Sequence, residues 1–196
     1  MSKKFLNLVV ANLSASVLMA QSFAPAAGQP GSTAIPKDSP LFTSWATHCE
    51  VERGWVNIED QSLGLATHGL SADAVGPSTG VSTNSVSLGD GGTATLTFFE
   101  GIKNGDGPDF AVFENGLSDS FLELGFVEVS SDGERFVRFP AISEIPTDVQ
   151  VVPFGVVDCR YIHNFAGKYR AGFGTPFDLE DLIDSTGIDL ENITHV

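Results

Sequence analysis

Residues 105–139 have the sequence GDGPDFAVFENGLSDSFLELGFVEVSSDGERFVRF, in which short apolar runs alternate with turn-forming residues. Phe110–Phe113 and Phe126–Val129 are β-branched or aromatic runs that are too short for helices, and turn-forming residues bound them. We therefore predict a strand at each run. Asp132-Gly133 can supply the positive φ angles that a tight hairpin requires, so the strands on either side of it should pair antiparallel.

The chain from Thr43 onward has the same β character. Thr93–Phe98 alternates strictly, so its apolar side chains and its threonines should face opposite sides of a sheet. Val51–Ile58 and Val149–Val157 are further predicted strands, the second at an edge or a bulge because it contains Pro153. About nine short strands with Gly-rich turns favour a two-sheet jelly roll or a related β-sandwich.

A single short helix is predicted from Pro176 to Ile183. Leu179, Leu182 and Ile183 would share one face, and Thr175 could cap a first turn that begins with proline. The predicted fold class is therefore all-β, a two-sheet jelly roll or β-sandwich with one short helix.

Residues 1–26 have the pattern of a secretory signal peptide. Lys3 and Lys4 precede an apolar run, Phe5–Ala20, and small residues follow it. The run is too polar and too short for a stable membrane span, and a retained anchor is the alternative. This pattern predicts a secreted or extracytoplasmic protein, and the cell surface is one possible destination. Cleavage is expected between Gln21 and Gln29, and no membrane span is expected in the mature chain.

The mature chain is predicted to form one domain. Residues 27–42 contain several prolines and glycines and are predicted to be a flexible lead-in, and residues 43–196 form the β-sandwich (jelly-roll) domain. The whole chain carries 10 Lys and Arg against 25 Asp and Glu, a net charge of −15. This balance disfavours nucleic acid as a partner, and a soluble acidic surface accounts for most of the carboxylates.

Cys49 and Cys159 are the two cysteines of the chain. In an exported protein a lone pair favours a disulfide, which here would close a loop of about 110 residues and contribute about 4 kcal/mol on the chain-entropy model. Two free, buried thiols are the alternative.

Acidic and amide side chains concentrate in the loops around the predicted strands. Calcium takes six to eight oxygen ligands, so a structural calcium ion would also need backbone carbonyls or distant acids. The candidate metal ligands are Asp106, Asp109, Glu114, Asn115, Asp178 and Asp181. Solvated turn acids, with Asn115 as a local turn-former, are the alternative.

Catalytic motifs are weak in this chain. His48, His68, His163 and His195 are scattered without zinc-ligand spacing, and there is no G-x-S-x-G elbow. A sugar hydrolase would need two acids on facing strands. The acids that lie near predicted strands are Glu114, Glu123 and Glu128. We therefore expect a protein that is not an enzyme, with a carbohydrate-active enzyme as the alternative.

A polar, Gly-rich stretch near the C-terminus carries aromatic, amide and cationic side chains. Together these groups predict a contact surface for a sugar or a corrinoid. The candidate ligand-binding residues are Tyr161, Asn164, Lys168, Tyr169, Arg170 and Phe173. The alternative is a small cluster of loop aromatics packed over the core, and Trp45 and Trp55 are also assigned to the core.

Four segments together resemble a family of secreted bacterial cell-surface proteins with a jelly-roll domain. These segments are GDGG at 89–92, PDFAVFEN at 108–115, FVEVSSDG at 126–133 and GKYRAGFGTPFDL at 167–179. The 126–133 hairpin is also similar to that of galactose-binding-like, discoidin-type domains. The resemblance covers most of residues 45–196. Members often carry C-terminal sorting tails, most have no assigned activity, and some broadly similar surface proteins accompany nutrient uptake, including cobalamin capture.

The last nine residues, Ile188–Val196, have the pattern of the start of one more strand. The resemblance implies a continuation with acidic, Gly-rich sequence, so the last strand is predicted to be truncated, which would leave an unpaired edge. The sequence as a whole predicts a secreted or cell-surface, non-catalytic binding module, stabilised by calcium, for a carbohydrate, a corrinoid or another extracellular nutrient. A carbohydrate-active enzyme and a purely structural surface or adhesion protein are the alternatives.

Overall fold

The protein is described here by a computed structural model, which covers residues 23–146, 148 and 155–196. The described residues form ten short strands in antiparallel sheets, and the prediction of an all-β fold is confirmed. The strands are β1 (Ile35–Pro36), β2 (His48–Glu52), β3 (Thr93–Ile102), β4 (Phe110–Val112), β5 (Glu128–Val129), β6 (Val137–Arg138), β7 (Ile142–Ser143), β8 (Ile162–His163), β9 (Phe173–Phe177) and β10 (Ile193–His195).

Two three-stranded sheets organise the fold, with the strand orders β1-β9-β4 and β10-β3-β2. Two hairpin-sized sheets, β5-β6 and β7-β8, complete the described part. A backbone bridge between Ser130 and His195 connects the end of β5 to β10. The predicted final strand thus exists as β10, which pairs with the long strand β3.

The hairpin predicted at Asp132-Gly133 is confirmed, since β5 and β6 pair antiparallel. The Oδ1 atom of Asp132 accepts hydrogen bonds from Ser130 Oγ and from the N–H groups of Glu134 and Arg135, each at 2.9 Å. These bonds hold the pKa of the Asp132 carboxyl below its usual range. Gly133 has a φ of 77°, which a residue with a side chain rarely adopts. Asp132 is therefore a turn residue.

The main core lies where β4, β5, β9 and β10 meet. Val129, Phe139, Phe177, Leu179 and Ile193 are all at most 1% exposed. The ring of Phe177 stacks on that of Phe110 at 5.3 Å and meets that of Phe139 edge-on at 5.1 Å. Burying a side chain of this size contributes about 1.5–3 kcal/mol, so this cluster anchors the sandwich-like packing. A second, smaller cluster consists of Leu122, Val157, Cys159 and Ile162.

The predicted helix is shorter and begins later than expected. Pro176 and Phe177 belong to β9, and a 3-10 helix covers Leu179–Leu182. Asp178 caps this helix instead of Thr175, because its carboxylate accepts a hydrogen bond from the N–H of Glu180 at 3.0 Å. None of the helices in the described ranges has the length and apolar character that crossing a lipid bilayer requires.

Parts of residues 27–42, which are predicted to be a flexible lead-in, pack against the domain. Ala27 is 4% exposed, and β1 pairs with β9 through Ile35 opposite Gly174. The hydroxyl oxygens of Thr33 and Tyr169 lie 2.8 Å apart. Apolar burial and strand pairing outweigh the conformational freedom that the prolines and glycines suggested. The predicted signal peptide lies mostly outside the described residues, as does most of the predicted strand at 149–157.

The predicted Cys49–Cys159 disulfide is not formed. Both thiols are free and buried, at 4% and 3% exposure. Cys49 lies on β2 opposite Leu96 of β3, whereas Cys159 packs with Val157 and Ile162 in the smaller cluster. The two cysteines belong to different packing units, and burial raises the pKa of each thiol.

Candidate functional site

A hollow of about 260 Å³ lies where the chain leading into β2 runs beside the second half of β3. The register of the two strands places it there, because His48 is opposite Thr97 and the preceding residues continue along Phe98, Phe99 and Glu100. The N–H of Thr47 donates a hydrogen bond to the carbonyl of Thr97 at 2.9 Å and holds the two segments together. We call this the Trp45 hollow. Its walls are Thr43, Ser44, Trp45, Thr47, Phe98, Phe99 and Glu100.

Trp45 is held in a fixed position by other aromatic rings. Its ring lies 5.0 Å from that of Phe42 and 5.6 Å from that of Phe113, and the rings of Phe42 and Phe113 lie 5.4 Å apart. Tilted packing at these distances is favourable for aromatic pairs. Trp45 is half-buried: it packs on these two rings outside the two core clusters, and it also lines the hollow.

Phe99 is the most exposed large apolar side chain among the described residues, at 90%. The register between β3 and β10 shifts between the pairs Ile193–Ile102 and His195–Thr97, and Phe99 lies in this irregular stretch. Such irregularities redirect side chains. A largely exposed phenyl ring and a half-buried indole thus line the same hollow as three hydroxyl groups and a carboxylate.

Thr43, Ser44, Thr47 and Glu100 are all exposed at the rim of the hollow. Hydroxyls can donate or accept hydrogen bonds and a carboxylate accepts them. The hollow therefore offers stacking surfaces together with hydrogen-bonding groups, and this combination fits a polyhydroxylated ring with apolar C–H faces.

Three of the six residues predicted to bind a ligand are buried in the structure. Tyr169, Lys168 and Asn164 are 1%, 4% and 5% exposed, so the expectation that they lie at the surface is wrong. The ammonium of Lys168 donates to the carbonyls of Cys159 at 2.8 Å and Ile162 at 2.5 Å, and its burial lowers its pKa to about 8. The amide of Asn164 donates to Asp181 Oδ2 at 2.9 Å. These side chains pack the interior of the 159–173 loop.

Tyr161, Arg170 and Phe173 are half-buried at the surface. The guanidinium of Arg170 lies 4.6 Å above the ring of Phe173 and donates from Nη1 to Asp119 Oδ1 at 2.5 Å. Through Asp119 this group borders an open groove of about 540 Å³, lined by parts of 25–30, 119–120 and 156–160. Arg160 and Asp158 form a second ion pair on the groove, with a shortest distance of 2.6 Å.

Most of the predicted calcium ligands are engaged with other groups in the structure. Asp109 already uses both oxygens, which accept from the N–H groups of Gly105 at 2.7 Å and Leu179 at 2.8 Å. The Asn115 amide donates to the Ser82 carbonyl at 3.2 Å. Asp181 accepts from Asn164, Asp178 caps a helix, and Asp106 is exposed.

Asp109 is the predicted ligand whose carboxyl responds to another predicted ligand, Asp178. Burial raises the pKa of Asp109, and the charges of Asp178 and Glu191 raise it further, while its two main-chain hydrogen bonds lower it. Within the described ranges no group of three or more His, Cys, Asp or Glu side chains is arranged to hold a metal ion. A calcium site at these residues stays a prediction.

Glu114 is the one acid with a strongly displaced pKa in the described part of the chain. Burial, and next the charge of Glu123, raise its pKa to about 7. Its Oε2 atom is buried without a hydrogen-bond partner. The sequence places Glu114 and Glu123 near strands, but their shared environment depends on packing between distant segments.

Sequence reasoning did not identify the Trp45 hollow. One signal for it exists in β3. Residues 93, 95 and 97 are threonines on the side of the strand predicted to face solvent, and strand alternation places Phe99 on that same side. A large ring that follows three threonines on a solvent-facing side is a marker of a surface contact. Trp45 carries no comparable local signal.

We compared the chain with known protein families, with curated proteins and with solved structures, and none of them matches it. The candidate site therefore depends on the geometry of the chain alone.

Proposed function

We propose that this protein is a secreted or cell-surface, non-catalytic binding module that recognises a carbohydrate at the Trp45 hollow. The observation that supports it is the Phe99 ring, 90% exposed beside Trp45 and ringed by hydroxyls. Single exposed apolar residues are common, but one that borders a hollow with a second aromatic ring and hydrogen-bonding groups marks a contact site.

The two aromatic rings and the polar rim have separate tasks in this proposal. The apolar C–H face of a sugar ring packs on Phe99 or Trp45, which removes apolar surface from water. Thr43, Ser44, Thr47 and Glu100 exchange hydrogen bonds with the sugar hydroxyls and determine which sugar fits. Removing one well-placed aromatic from such a contact costs about 1–3 kcal/mol of binding free energy.

The test is a glycan array followed by calorimetry on the purified protein. We expect the wild type to retain one class of glycan and Phe99→Ala to bind it about 5- to 150-fold more weakly with an unchanged melting temperature, because Phe99 makes little contact with the fold. Phe126→Ala is the matched control, since Phe126 is 60% exposed and lies outside the hollow. Equal binding by the two variants would exclude the hollow as the glycan site. Cobalamin in the same assay tests the corrinoid alternative.

A structural calcium ion is the second part of the proposal. Burial is the main reason that the pKa of Asp109 is raised, and the negative charges of Asp178 and Glu191 raise it further. A cation beside Asp109 would relieve the repulsion between these charges. Calcium should then raise the melting temperature and a chelator should lower it, and Asp109→Asn should abolish both effects. If the wild-type melting curve is the same with calcium and with a chelator, the proposed calcium site is contradicted. That result would not bear on the proposed carbohydrate site.

A carbohydrate-active enzyme is the second candidate function, and Glu114 is the observation that favours it. A carboxyl group with a pKa near 7 could serve as a general acid. Neither Glu114 nor Glu123 is among the residues that line the Trp45 hollow or the groove. Release of reducing sugar from a bound glycan by the wild type, lost in Glu114→Gln, would favour the enzyme over the binding module.

A further inference from the structure

Residues 54–66, which we call the 54–66 finger, form a tight loop that is closed by its own backbone. The N–H of Ala66 donates to the carbonyl of Gly54 at 2.9 Å, and the N–H of Val56 donates to the carbonyl of Gly64 at 3.0 Å. Two further backbone bonds, each spanning three residues, close the tip at 3.1 and 3.2 Å. The finger is therefore folded back on itself within a small volume.

The base of the finger is fixed to the domain. The backbones of Trp55 and Asp90 bond to each other in both directions, at 3.0 and 2.7 Å, and Asp90 Oδ2 also accepts from the N–H of Ile58 at 2.9 Å. A Cβ atom at position 54 would lie 2.2 Å from the Asp90 carbonyl oxygen, so glycine alone allows this approach. A segment held this closely presents its side chains in a fixed arrangement, which reduces the entropy lost on binding.

Four large aliphatic side chains of the finger are exposed. They are Val56, Ile58, Leu63 and Leu65, at 54%, 56%, 57% and 46% exposure. Exposed apolar residues that occur singly are ordinary, but these are four of the ten residues from 56 to 65. Such a concentration marks a surface that contacts another molecule. Aliphatic side chains lack the flat ring on which a sugar stacks, so this surface differs in chemistry from the Trp45 hollow.

Negative charge accompanies the apolar side chains of the finger. Glu59 and Asp60 are exposed at its tip, and the carboxylate of Asp90 is bonded to the backbone of Ile58. Among the described residues none of these three acids belongs to an ion pair. Arg53, the nearest basic residue along the chain, donates its guanidinium N–H groups to three backbone carbonyls. The finger therefore combines an apolar surface with uncompensated negative charge.

We propose that the 54–66 finger docks a segment of a partner protein that carries both apolar and basic side chains. Apolar residues of that segment cover the four aliphatic side chains, and its lysines or arginines pair with Glu59 and Asp60. A second copy of this chain fits less well, because the net charge is −15 and two fingers would bring like charges together. The same repulsion disfavours an anionic lipid surface.

Photo-crosslinking with synthetic peptides tests the docking on the purified full-length protein. The probe is a peptide of leucine and lysine with one photoreactive residue, and two matched probes replace either every leucine by serine or every lysine by glutamate. We expect the leucine–lysine probe to label residues 54–66 and to bind at least about tenfold more tightly than either matched probe. Labels spread over other acidic parts of the surface, or equal binding of the three probes, would overturn the proposal.

A double variant assigns the binding to the aliphatic side chains. Ile58→Ser combined with Leu63→Ser removes apolar contact and should weaken binding of the leucine–lysine probe about tenfold. The matched control is Leu41→Ser combined with Leu117→Ser, at leucines that are 74% and 67% exposed outside the finger, and it should bind like the wild type. An equal loss in the two double variants would contradict docking at the finger.

A charge reversal keeps the proposal testable if the double variant does not fold. Glu59→Lys should weaken binding of the leucine–lysine probe, and added salt should weaken binding to the wild type, because the ion pairs lie at the surface. Glu134→Lys, at an exposed position outside the finger, is its control and should leave binding unchanged. A Glu59→Lys protein that binds as tightly as the wild type would contradict the role of the acidic tip.

Two further outcomes would replace the partner protein by another occupant. Analytical ultracentrifugation that shows a dimer, lost in the Ile58→Ser, Leu63→Ser protein, would assign the finger to a second copy of this chain. Binding to vesicles of phosphatidylcholine and phosphatidylserine, lost in the same protein, would assign it to a lipid surface. Glycan binding at the Trp45 hollow should be retained in this variant, so the failure of either proposal is distinguishable from the failure of the other.

Discussion

At the scale of single residues, burial separates structural side chains from those that can meet a ligand. Tyr169 was predicted to contact a ligand, yet it is 1% exposed and its hydroxyl lies 2.8 Å from that of Thr33. Phe99, which sequence reasoning overlooked, is 90% exposed. Both are large aromatic residues in polar surroundings along the chain, so residue type alone does not distinguish them.

Tyr169→Ala is expected to lower the free energy of unfolding by about 3–5 kcal/mol, because it leaves a cavity where a buried ring was. Tyr169→Phe keeps the ring and loses the hydroxyl contact with Thr33, at a cost of about 1 kcal/mol. Urea unfolding followed by tryptophan fluorescence measures both. A Tyr169→Ala protein as stable as the wild type would show that the ring is not part of the packing.

At the scale of elements, the N-terminal segment is part of the domain rather than a tether. The ring of Phe23 stacks on that of His163 at 5.1 Å with an angle of 8° between them, and its N–H donates to the carbonyl of Arg160 at 3.3 Å. Further along, β1 adds a strand to the β9–β4 pair. Processing after Ala26 would remove the Phe23 contacts, whereas processing before Phe23 would keep them.

If the chain is exported and processed, as we propose, its mature N-terminus is expected between Gln21 and Phe23, the first part of the predicted interval. Mass spectrometry of the exported protein measures it. A protein that begins at Ala27 should also melt at a lower temperature than one that begins at Phe23, since a stacked ring pair contributes about 0.5–1.5 kcal/mol beyond its buried area. Equal melting temperatures would show that residues 23–26 do not stabilise the domain.

At the scale of the whole molecule, the two cysteines lie in different elements and do not join them by a disulfide. Cys49 belongs to the β10-β3-β2 sheet and Cys159 to the smaller cluster. A thiol buried in apolar surroundings is protonated at neutral pH and reacts slowly, because the thiolate is the reactive form.

We expect a thiol reagent to modify neither cysteine rapidly in the native protein and to modify two in the unfolded protein without any reductant. Mass analysis after alkylation counts them. If the two thiols react only after reduction, the result would support the predicted disulfide and would contradict the free thiols of the structure.

Much of the fold follows from signals that are local in the chain. The β5–β6 hairpin needs only the turn chemistry of Asp132-Gly133 and the apolar residues on either side of it, so it was predicted correctly. The strands β3 and β4 likewise follow from alternation and from short aromatic runs. The helix at Leu179–Leu182 was predicted in the right region, but its predicted start was too early. Pro176 and Phe177 belong to β9, where they pair with β4.

Interactions between distant segments account for the rest, because burial and proximity depend on which parts of the chain pack together. The raised pKa of Glu114 requires the burial of its carboxyl and the charge of Glu123, nine positions further along the chain. The separation of the two cysteines and the burial of Tyr169 arise in the same way. The Trp45 hollow exists because the register of β2 and β3 places Trp45 beside Phe99, 54 positions further along the chain. Local residue chemistry therefore sets the all-β character and the turns, whereas long-range packing determines which polar and aromatic groups meet.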